Sequence, residues 1–238
     1  MNFSKTKEIN SGYQNLDFTN SVKMSSLLNE FSDLATTHAI ELKMWKPEVF
    51  NQYGWIVSKI HVQLDTQIQQ NYTLKTMIGT HSNVIFPRYF EIYQQGNKIG
   101  AGSTIWTMLD LQKRRIIRPS RAGFEIPDNP DLIPPCELPD TIEEVDYQFI
   151  EERKVRYSDI DTNMHMNNTK YIDWACDLIG IDQFRNNYIS TLDIYFIHEI
   201  APDTLVQLYK YKDQNTIYIK GNVEETECFK VKLQFKQK

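Results

Sequence analysis

The stretch SDIDTNMHMNNTKYIDW, residues 158–174, places a row of polar side chains directly before an amphipathic segment. The row occupies every second position: Asp161, Asn163, His165 and Asn167. Apolar residues then recur at the i, i+3, i+4, i+7 spacing of one helical face, which predicts a helix at about 168–179 that Gly180 ends. A polar row therefore leads into the buried face of a predicted helix.

If residues 161–167 are extended, the four polar side chains share one face of the strand. Met164 and Met166 would then point to the opposite face and into the core. Asn167 and Asn168 are both good N-cap residues, so the free N–H groups and positive dipole end of the helix would lie beside the row. An imidazole, an amide donor and a place for an oxyanion are the groups that acyl transfer uses.

Three other interpretations of the row compete with catalysis. A calcium loop is excluded, because Met166 stands where position six needs Gly and Ile172 where position twelve needs Glu. A zinc site is disfavoured, because one histidine among amides offers too few ligands. A structural cap, in which Asp and Asn side chains satisfy a turn, stays open. We expect neither a metal nor a cofactor.

The same outline occurs twice along the chain. After a short extended stretch, an apolar stripe over residues 24–42 predicts a long helix. Strand-like runs follow near residues 55–65, 72–80, 84–94, 97–109 and 114–118. In the second half, strand-like runs surround the 168–179 helix, near residues 149–157, 191–199, 204–212, 215–222 and 227–236. This repetition predicts an α+β fold in which each antiparallel sheet curls around its helix.

A proline-rich segment separates the two halves. Residues 127–140 hold five of the nine prolines, which is typical of a linker. We therefore predict an N-terminal domain at residues 1–122, a linker at 123–145 and a C-terminal domain at 146–238.

The composition excludes several classes of function. A net charge of −5 disfavours a nucleic-acid-binding protein, which would be basic. No apolar run approaches the roughly 20 residues of a membrane span, and the N-terminal stretch lacks the apolar core of a secretory signal. Three scattered cysteines argue against a disulfide framework, so the cytoplasm is the expected compartment.

The polar row and the helix together form the pattern D-x-N-x-H-x-N-N-x-x-Y-x-x-W, made by Asp161, Asn163, His165, Asn167, Asn168, Tyr171 and Trp174. This pattern resembles the signature of acyl-ACP thioesterases, the plant and bacterial enzymes that release fatty acids from acyl carrier protein (ACP). The resemblance extends over nearly the whole chain and includes GWIVSKIHVQLD (54–65) and IWTMLDLQKRRIIRP (105–119). It implies a tandem of two hot-dog domains. The first half lacks an Asn–His row, so it would shape the acyl pocket.

The family resemblance also implies the catalytic residues. Its members join the Asn and His to an acidic residue on the strand after the catalytic-domain helix, here Glu199, and many plant members follow it with a cysteine where this chain has Ile200. We therefore expect water attack directed by Glu199, His165 and Asn163, with Asp161 orienting the last two. Glu199 is assigned as the general base, and the reverse assignment with His165 stays open. The amides that begin the helix are candidate oxyanion donors.

A basic segment stands out in this acidic chain: Lys113, Arg114, Arg115, Arg118 and Arg121. Such a run is ordinarily a solvated connector. Because acyl carrier proteins are acidic, the segment is also a candidate docking surface for ACP that carries a 4'-phosphopantetheine-linked acyl chain. We expect a monomer or a homodimer.

Other functions remain compatible with the same fold. An acyl-CoA thioesterase would use the same site and differ in how it holds the carrier. A non-catalytic acyl-binding hot-dog protein would not need Asp161, Asn163, His165 and Glu199 together. A hot-dog dehydratase matches the tandem arrangement less well.

Overall fold

The computed structural model of the chain describes residues 3–49 and 51–238. Its α-helices are α1 (Met24–Glu41), α2 (Asn168–Asp177) and α3 (Ile181–Asn186). Its strands are β1 (Ser4–Asn10), β2 (Tyr53–Leu64), β3 (Asn71–Ile78), β4 (Phe86–Gln94), β5 (Asn97–Asp110), β6 (Arg115–Ile117), β7 (Gln148–Lys154), β8 (Asn187–Phe196), β9 (Leu205–Asp213), β10 (Thr216–Val223) and β11 (Thr226–Gln237). No helix in the described part of the chain is long and apolar enough to cross a membrane.

The strands form one antiparallel sheet in the order β1-β3-β4-β5-β2-β8-β11-β10-β9-β7, with β6 beside β5. The first half supplies β1 to β6 and the second half supplies β7 to β11. The halves meet where β2 pairs with β8, a seam that runs from Lys59 opposite Tyr195 to Gln63 opposite Thr191. The α+β expectation is confirmed, and the sheets of the two halves are continuous.

Helix α1 packs against the sheet of the first half through one buried face, because its apolar residues recur every three or four positions. The ring of Phe31 stacks on Phe90 of β4, with centroids 3.9 Å apart and an angle of 8° between the planes. Beneath this pair, a Cβ on Gly102 of β5 would lie 2.6 Å from the Phe31 ring. Glycine at 102 therefore lets the helix approach the sheet closely.

Residues 124–147 contain neither helix nor strand and cross the outer face of the sheet. The carbonyl of Glu137 accepts from Ser103 Oγ of β5 at 2.6 Å. Farther along, Glu143 accepts from Tyr218 of β10 at 2.5 Å and from Lys232 of β11 at 2.9 Å. Although burial opposes it, these hydrogen bonds lower the pKa of Glu143 to about 2. This segment is thus hydrogen-bonded to strands of both halves.

The outermost strands of the sheet are β1 and β7. Each carries a dense run of charged side chains: Lys5, Lys7 and Glu8 on β1, and Glu151, Glu152, Arg153 and Lys154 on β7. The inner strands of the seam, by contrast, present buried apolar side chains such as Val62 and Leu192.

Candidate active site

The polar row of residues 161–165 is a tight turn and not an extended strand. Met164 adopts a left-handed conformation with φ of 61°, its N–H donates to the Asp161 carbonyl at 3.1 Å, and Asp161 N–H donates to the His165 carbonyl at 2.9 Å. The expectation of one shared strand face was therefore wrong. Only Met166 enters the core, whereas the Met164 side chain points outward and is 64% exposed.

Asp161 holds this turn together from within. Its Oδ1 accepts from the backbone N–H of Asn163 at 2.8 Å and of His165 at 3.4 Å, and its Oδ2 accepts from Asn163 Nδ2 at 3.4 Å. When an Asp carboxylate accepts hydrogen bonds from backbone N–H groups of its own turn, those groups are no longer available for pairing in a sheet. Asp161 thus fixes the backbone at Asn163 and His165, as the structural interpretation of the row also requires, and its catalytic role stays a prediction.

Helix α2 starts directly after the turn, and Asn167 caps it. Asn167 Oδ1 accepts from Thr169 N–H at 2.9 Å, and the Asn167 carbonyl accepts from Lys170 N–H at 2.8 Å. The cap therefore occupies two of the amides that the sequence suggested as oxyanion donors. At the start of this helix, Asn168 lines the cavity and stays a candidate oxyanion donor.

Glu199 lies in the loop that follows β8, three residues beyond the strand end at Phe196. The expectation that it stands on the strand was wrong, because the chain leaves the ladder when the N–H groups of Ile197 and His198 both donate to the Cys228 carbonyl, at 2.8 and 3.0 Å. Past Glu199, the Ile200 carbonyl accepts from Met166 N–H at 2.9 Å. That bond joins the Glu199 loop to the residue after His165.

This junction brings the two expected catalytic side chains together. His165 Nε2 lies 3.4 Å from Glu199 Oε2, and the side chains are 30% and 40% exposed. Asn163 is exposed on the same turn. An imidazole, a carboxylate and an amide thus meet at one place that water and a substrate can reach.

A third charged group, Arg114, contacts the same carboxylate. It lies in the turn between β5 and β6 with φ of 47°, and its Nη2 donates to Glu199 Oε2 at 2.7 Å. The sequence placed Arg114 in the basic docking segment and gave no reason to join it to a residue 85 positions away. Arg114 is a functional candidate that sequence reasoning assigned to a different role.

A cavity of about 590 Å³ opens at these residues and extends into the first half of the chain. From the second half, its wall includes Asn163, His165, Tyr171, Phe196 and Glu199. From the first half, its wall includes Ala35 and Ala39 of α1, Val57 of β2, Phe86 and Arg88 of β4, and Trp106 of β5. The volume is within the usual range for a small-molecule site, and the wall is mainly apolar away from the turn.

Comparison with known proteins agrees with this architecture. The family model of the acyl-ACP thioesterase N-terminal domain matches residues 3–121, and that of the C-terminal domain matches residues 142–237. The chain belongs to the acyl-ACP thioesterase family.

Two solved structures of thioesterases share the fold. An acyl-ACP thioesterase from Bacteroides thetaiotaomicron is 23% identical, with a TM-score of 0.89 over 99% of this chain and 98% of that one. The 12:0-ACP thioesterase from Umbellularia californica is 14% identical, with a TM-score of 0.81 over 100% of this chain and 99% of that one. The tandem hot-dog fold expected from the sequence is confirmed.

A curated relative matches over a short region. The chloroplastic dodecanoyl-[acyl-carrier-protein] hydrolase of Cinnamomum camphora is 35% identical over 52 residues. That match covers 22% of this chain and 14% of the length of the relative.

The position at which many plant members of the family carry cysteine is occupied here by Ile200, whose side chain is buried. None of the three cysteines belongs to the cavity wall among the described residues. Burial raises the pKa of the Cys176 thiol far above its usual value, and it also raises the pKa values of Cys136 and Cys228. Thiols with raised pKa values are poor nucleophiles.

No group of three or more His, Cys, Asp or Glu side chains within residues 3–49 and 51–238 is arranged to hold a metal ion.

Proposed function

We propose that this chain hydrolyses the thioester of fatty acyl-ACP to a free fatty acid and holo-ACP. The observation that carries the proposal is the approach of His165 Nε2 to within 3.4 Å of Glu199 Oε2 at the mouth of an apolar cavity. Membership of the acyl-ACP thioesterase family supplies the carrier and the bond that is cleaved.

The proposed reaction is water attack on the thioester carbonyl. Glu199 takes a proton from water as the C–O bond forms, and the tetrahedral intermediate then expels the sulfur as the C–S bond breaks. A thiol with a pKa of roughly 8.5 leaves as thiolate with little acid assistance. His165 orients the water; the proton then passes from Glu199 to His165, whose Nε2 lies 3.4 Å from Glu199 Oε2, and from His165 to the departing thiolate. Asn163 holds the carbonyl or the water.

The contact with Arg114 restricts which carboxylate oxygen can accept that proton. Arg114 and His165 both approach Glu199 through Oε2, at 2.7 and 3.4 Å. We therefore assign Oε1 to the attacking water. In this role Arg114 is a positioning residue, since it acts through Glu199.

The two halves would divide the work. We assign the acyl pocket to residues 1–122 and catalysis to residues 146–238, with 123–145 as the linker. Ala35, Ala39 and Trp106 of the first half line the cavity beyond the polar turn, which supports this division. The cytoplasm is the compartment that we propose, because Cys136, Cys176 and Cys228 are all free thiols. The proposed assembly remains a monomer or a homodimer.

The basic segment supports ACP as the carrier. Arg115, Arg118 and Lys113 are exposed, and they adjoin Arg114 and Leu111, which line the cavity mouth. A carrier with an acidic surface would meet net repulsion from a chain of charge −5, so productive docking needs local positive charge. Docking of the carrier on the basic segment would bring its pantetheine arm to the side of the cavity that Leu111 and Arg114 line.

Removing two of these charges separates docking from chemistry. We expect the Arg115→Ser/Arg118→Ser double variant to raise KM for acyl-ACP and to flatten its salt dependence, because exposed rim charges act mainly on encounter. Turnover of a small acyl thioester without the carrier protein should change little. Steady-state kinetics on both substrates over a salt series measures this.

Arg185→Ser is the matched control, because Arg185 is an exposed arginine on α3, outside the basic segment. It should leave both substrates unaffected. Arg114 stays intact in this experiment, since its replacement would also disturb Glu199. An equal effect of the double variant on both substrates would show that the docking surface lies elsewhere.

The cysteines give a second test of the mechanism. Cys136→Ala, Cys176→Ala and Cys228→Ala should each keep wild-type turnover within a few-fold, because none lines the cavity and water is the nucleophile. Each variant is assayed with acyl-ACP after its fold is checked by circular dichroism. Loss of turnover in a folded variant, together with a trappable acyl-cysteine, would overturn water attack.

Panels of acyl-ACP and acyl-CoA substrates test the proposed function directly, with released fatty acid as the readout. Hydrolysis of acyl-ACP supports the proposal. A preference for acyl-CoA would identify an acyl-CoA thioesterase that uses the same catalytic residues. Binding of acyl chains without release of fatty acid would identify a non-catalytic acyl-binding protein. Conversion of a hydroxyacyl thioester to an enoyl thioester would identify a dehydratase.

A further inference from the structure

Arg88 is a buried cation in the wall of the acyl cavity. It stands on β4, is 5% exposed, and points toward α1. Its Nη1 donates to His38 Nδ1 at 3.0 Å and to Thr76 Oγ1 at 3.1 Å. Both partners are reached through the same nitrogen, and Nε and Nη2 have no hydrogen-bond partner among the described residues.

The guanidinium also lacks a counter-ion. No Asp or Glu in residues 3–49 and 51–238 forms an ion pair with Arg88, and burial lowers its pKa to about 10, which leaves it charged at neutral pH. An unpaired charge removed from water is strongly unfavourable, and buried arginines are ordinarily paired. A purely structural link between α1 and the sheet would need only the hydrogen bonds of Nη1 to His38 and Thr76. It would not need a charged guanidinium whose Nε and Nη2 make no hydrogen bond.

A second unpaired donor borders the same cavity. Trp45 Nε1 is buried and has no hydrogen-bond partner among the described residues. Ile78 of β3 stands opposite Arg88 in the sheet, and Ile78 packs against Met44, the residue before Trp45. The Arg88 guanidinium and the Trp45 indole N–H both border the cavity, and neither has all of its N–H groups paired within the described residues, which suggests an oxygen acceptor that comes with the ligand.

The place of Arg88 in the sheet fixes which part of the ligand it can meet. In the order β4-β5-β2-β8, three strand spacings of about 4.8 Å separate β4 from β8, or roughly 14 Å along the sheet. In the proposed reaction the thioester would lie beside Glu199, just beyond the end of β8. Arg88 would therefore meet a part of the acyl chain that lies several strands away from the reacting carbonyl.

We propose that Arg88 and Trp45 form a polar subsite that binds an oxygen function, hydroxyl or carboxylate, on the distal part of the acyl chain. The inference rests on the proposed function for the identity of the ligand as an acyl chain. The Nε and Nη2 edge of a guanidinium matches the two oxygens of a carboxylate, so a carboxylate binds more tightly than a hydroxyl. Chains that end in a methyl group leave the cation unpaired.

Binding of non-hydrolysable analogues tests the subsite without relying on turnover. The probes are pantetheine amides of one chain length that end in methyl, hydroxyl or carboxylate, measured by isothermal titration calorimetry. With the wild type, the carboxylate-ended amide should bind about tenfold or more tightly than the methyl-ended one, as expected for a charge-assisted hydrogen bond. The hydroxyl-ended amide should lie between them.

Arg88→Met should abolish that preference and bind the methyl-ended amide as well as or better than the wild type. Thr76→Val is the matched control, because it removes one partner of Arg88 and keeps the charge, so the preference should remain. Arg88→Lys, which retains a cation, should keep part of it. Thermal unfolding checks that each variant is folded, and if Arg88→Met does not fold, the wild-type series and Arg88→Lys still decide.

Equal affinity of the wild type for all three amides would overturn the subsite, whatever the variants do. Equal weakening of all three amides by Arg88→Met would also overturn it, because that is the signature of a structural role. The proposed function is tested separately by hydrolysis of saturated acyl-ACP. Failure of hydrolysis with the preference retained refutes the reaction and leaves the subsite, and the converse result refutes the subsite alone.

Discussion

Glu199→Ala and His165→Ala should each lower kcat/KM for acyl-ACP by about 10²-fold or more, the usual size of a general acid–base contribution. Glu199→Ala removes the carboxylate assigned to water, and His165→Ala removes the imidazole 3.4 Å from it. Neither side chain is buried, so thermal unfolding should stay cooperative and near that of the wild type. Steady-state kinetics with acyl-ACP and differential scanning calorimetry measure the two effects.

Two further variants make this result specific. Glu199→Gln keeps the size of the side chain and its contact with Arg114 but removes the basic carboxylate, so it should be nearly as impaired as Glu199→Ala. Glu225→Ala, at an exposed carboxylate in the turn between β10 and β11, is the control and should be fully active. Wild-type turnover in a folded Glu199 or His165 variant would remove the assignment.

The second large effect is on stability. Phe31→Ala should lower the free energy of unfolding by about 3–5 kcal/mol, as truncation of a buried phenylalanine typically does. The ring is 2% exposed, stacks on Phe90 and sits directly above Gly102 of β5. Gly102 has no side chain that could move into the space left by the Phe31 ring. The cavity that the substitution creates would therefore be filled only in part.

Urea unfolding followed by tryptophan fluorescence measures this loss. Phe149→Ala is the matched control, because the same substitution on an exposed ring of β7 should cost about 1 kcal/mol or less. A loss for Phe31→Ala no larger than that of the control would mean that α1 repacks freely on the sheet. The midpoint should shift without a large change in the slope of the transition.

Local pattern was enough to predict most of the secondary structure. The helix expected at 24–42 is α1 (Met24–Glu41), and the strand expected at 97–109 is β5 (Asn97–Asp110). Both elements are determined by the periodic burial of apolar residues within the element itself, so neighbouring residues in the sequence are enough to predict them. The short helix α3 after Gly180 was not predicted, since its six residues present no buried face.

The backbone of the polar row was predicted wrongly, whereas the catalytic roles of its residues stay predictions. Strict alternation favours a strand, but Asp161 accepts backbone N–H groups of its own turn and Met164 takes a left-handed conformation. Side chain–backbone bonds of this kind compete with sheet pairing, and hydrophobic periodicity does not detect them. The roles predicted for Asn163 and His165 follow from the family resemblance, which does not depend on whether the segment is extended.

Contacts between the halves were beyond reach of the sequence. The pairing of β2 with β8 joins residues such as His61 and Asp193, whose side chains lie 2.7 Å apart. Arg114 and Glu199 meet across the same boundary. Such pairs have no local pattern and follow from the arrangement of the whole sheet, which explains why Arg114 was considered only as a docking residue.

The charged outer strands of the sheet bear on self-association. An exposed strand edge offers unpaired N–H and C=O groups on which another copy can polymerise, and charged side chains oppose that pairing. In this sheet the open edges are β1 and β7, both rich in charge, whereas β2 and β8 pair with each other at the seam. Because both halves belong to one polypeptide, β2 and β8 are paired with each other and offer no free edge. The strand edges in contact with water are those of β1 and β7, whose charged side chains oppose pairing with another copy.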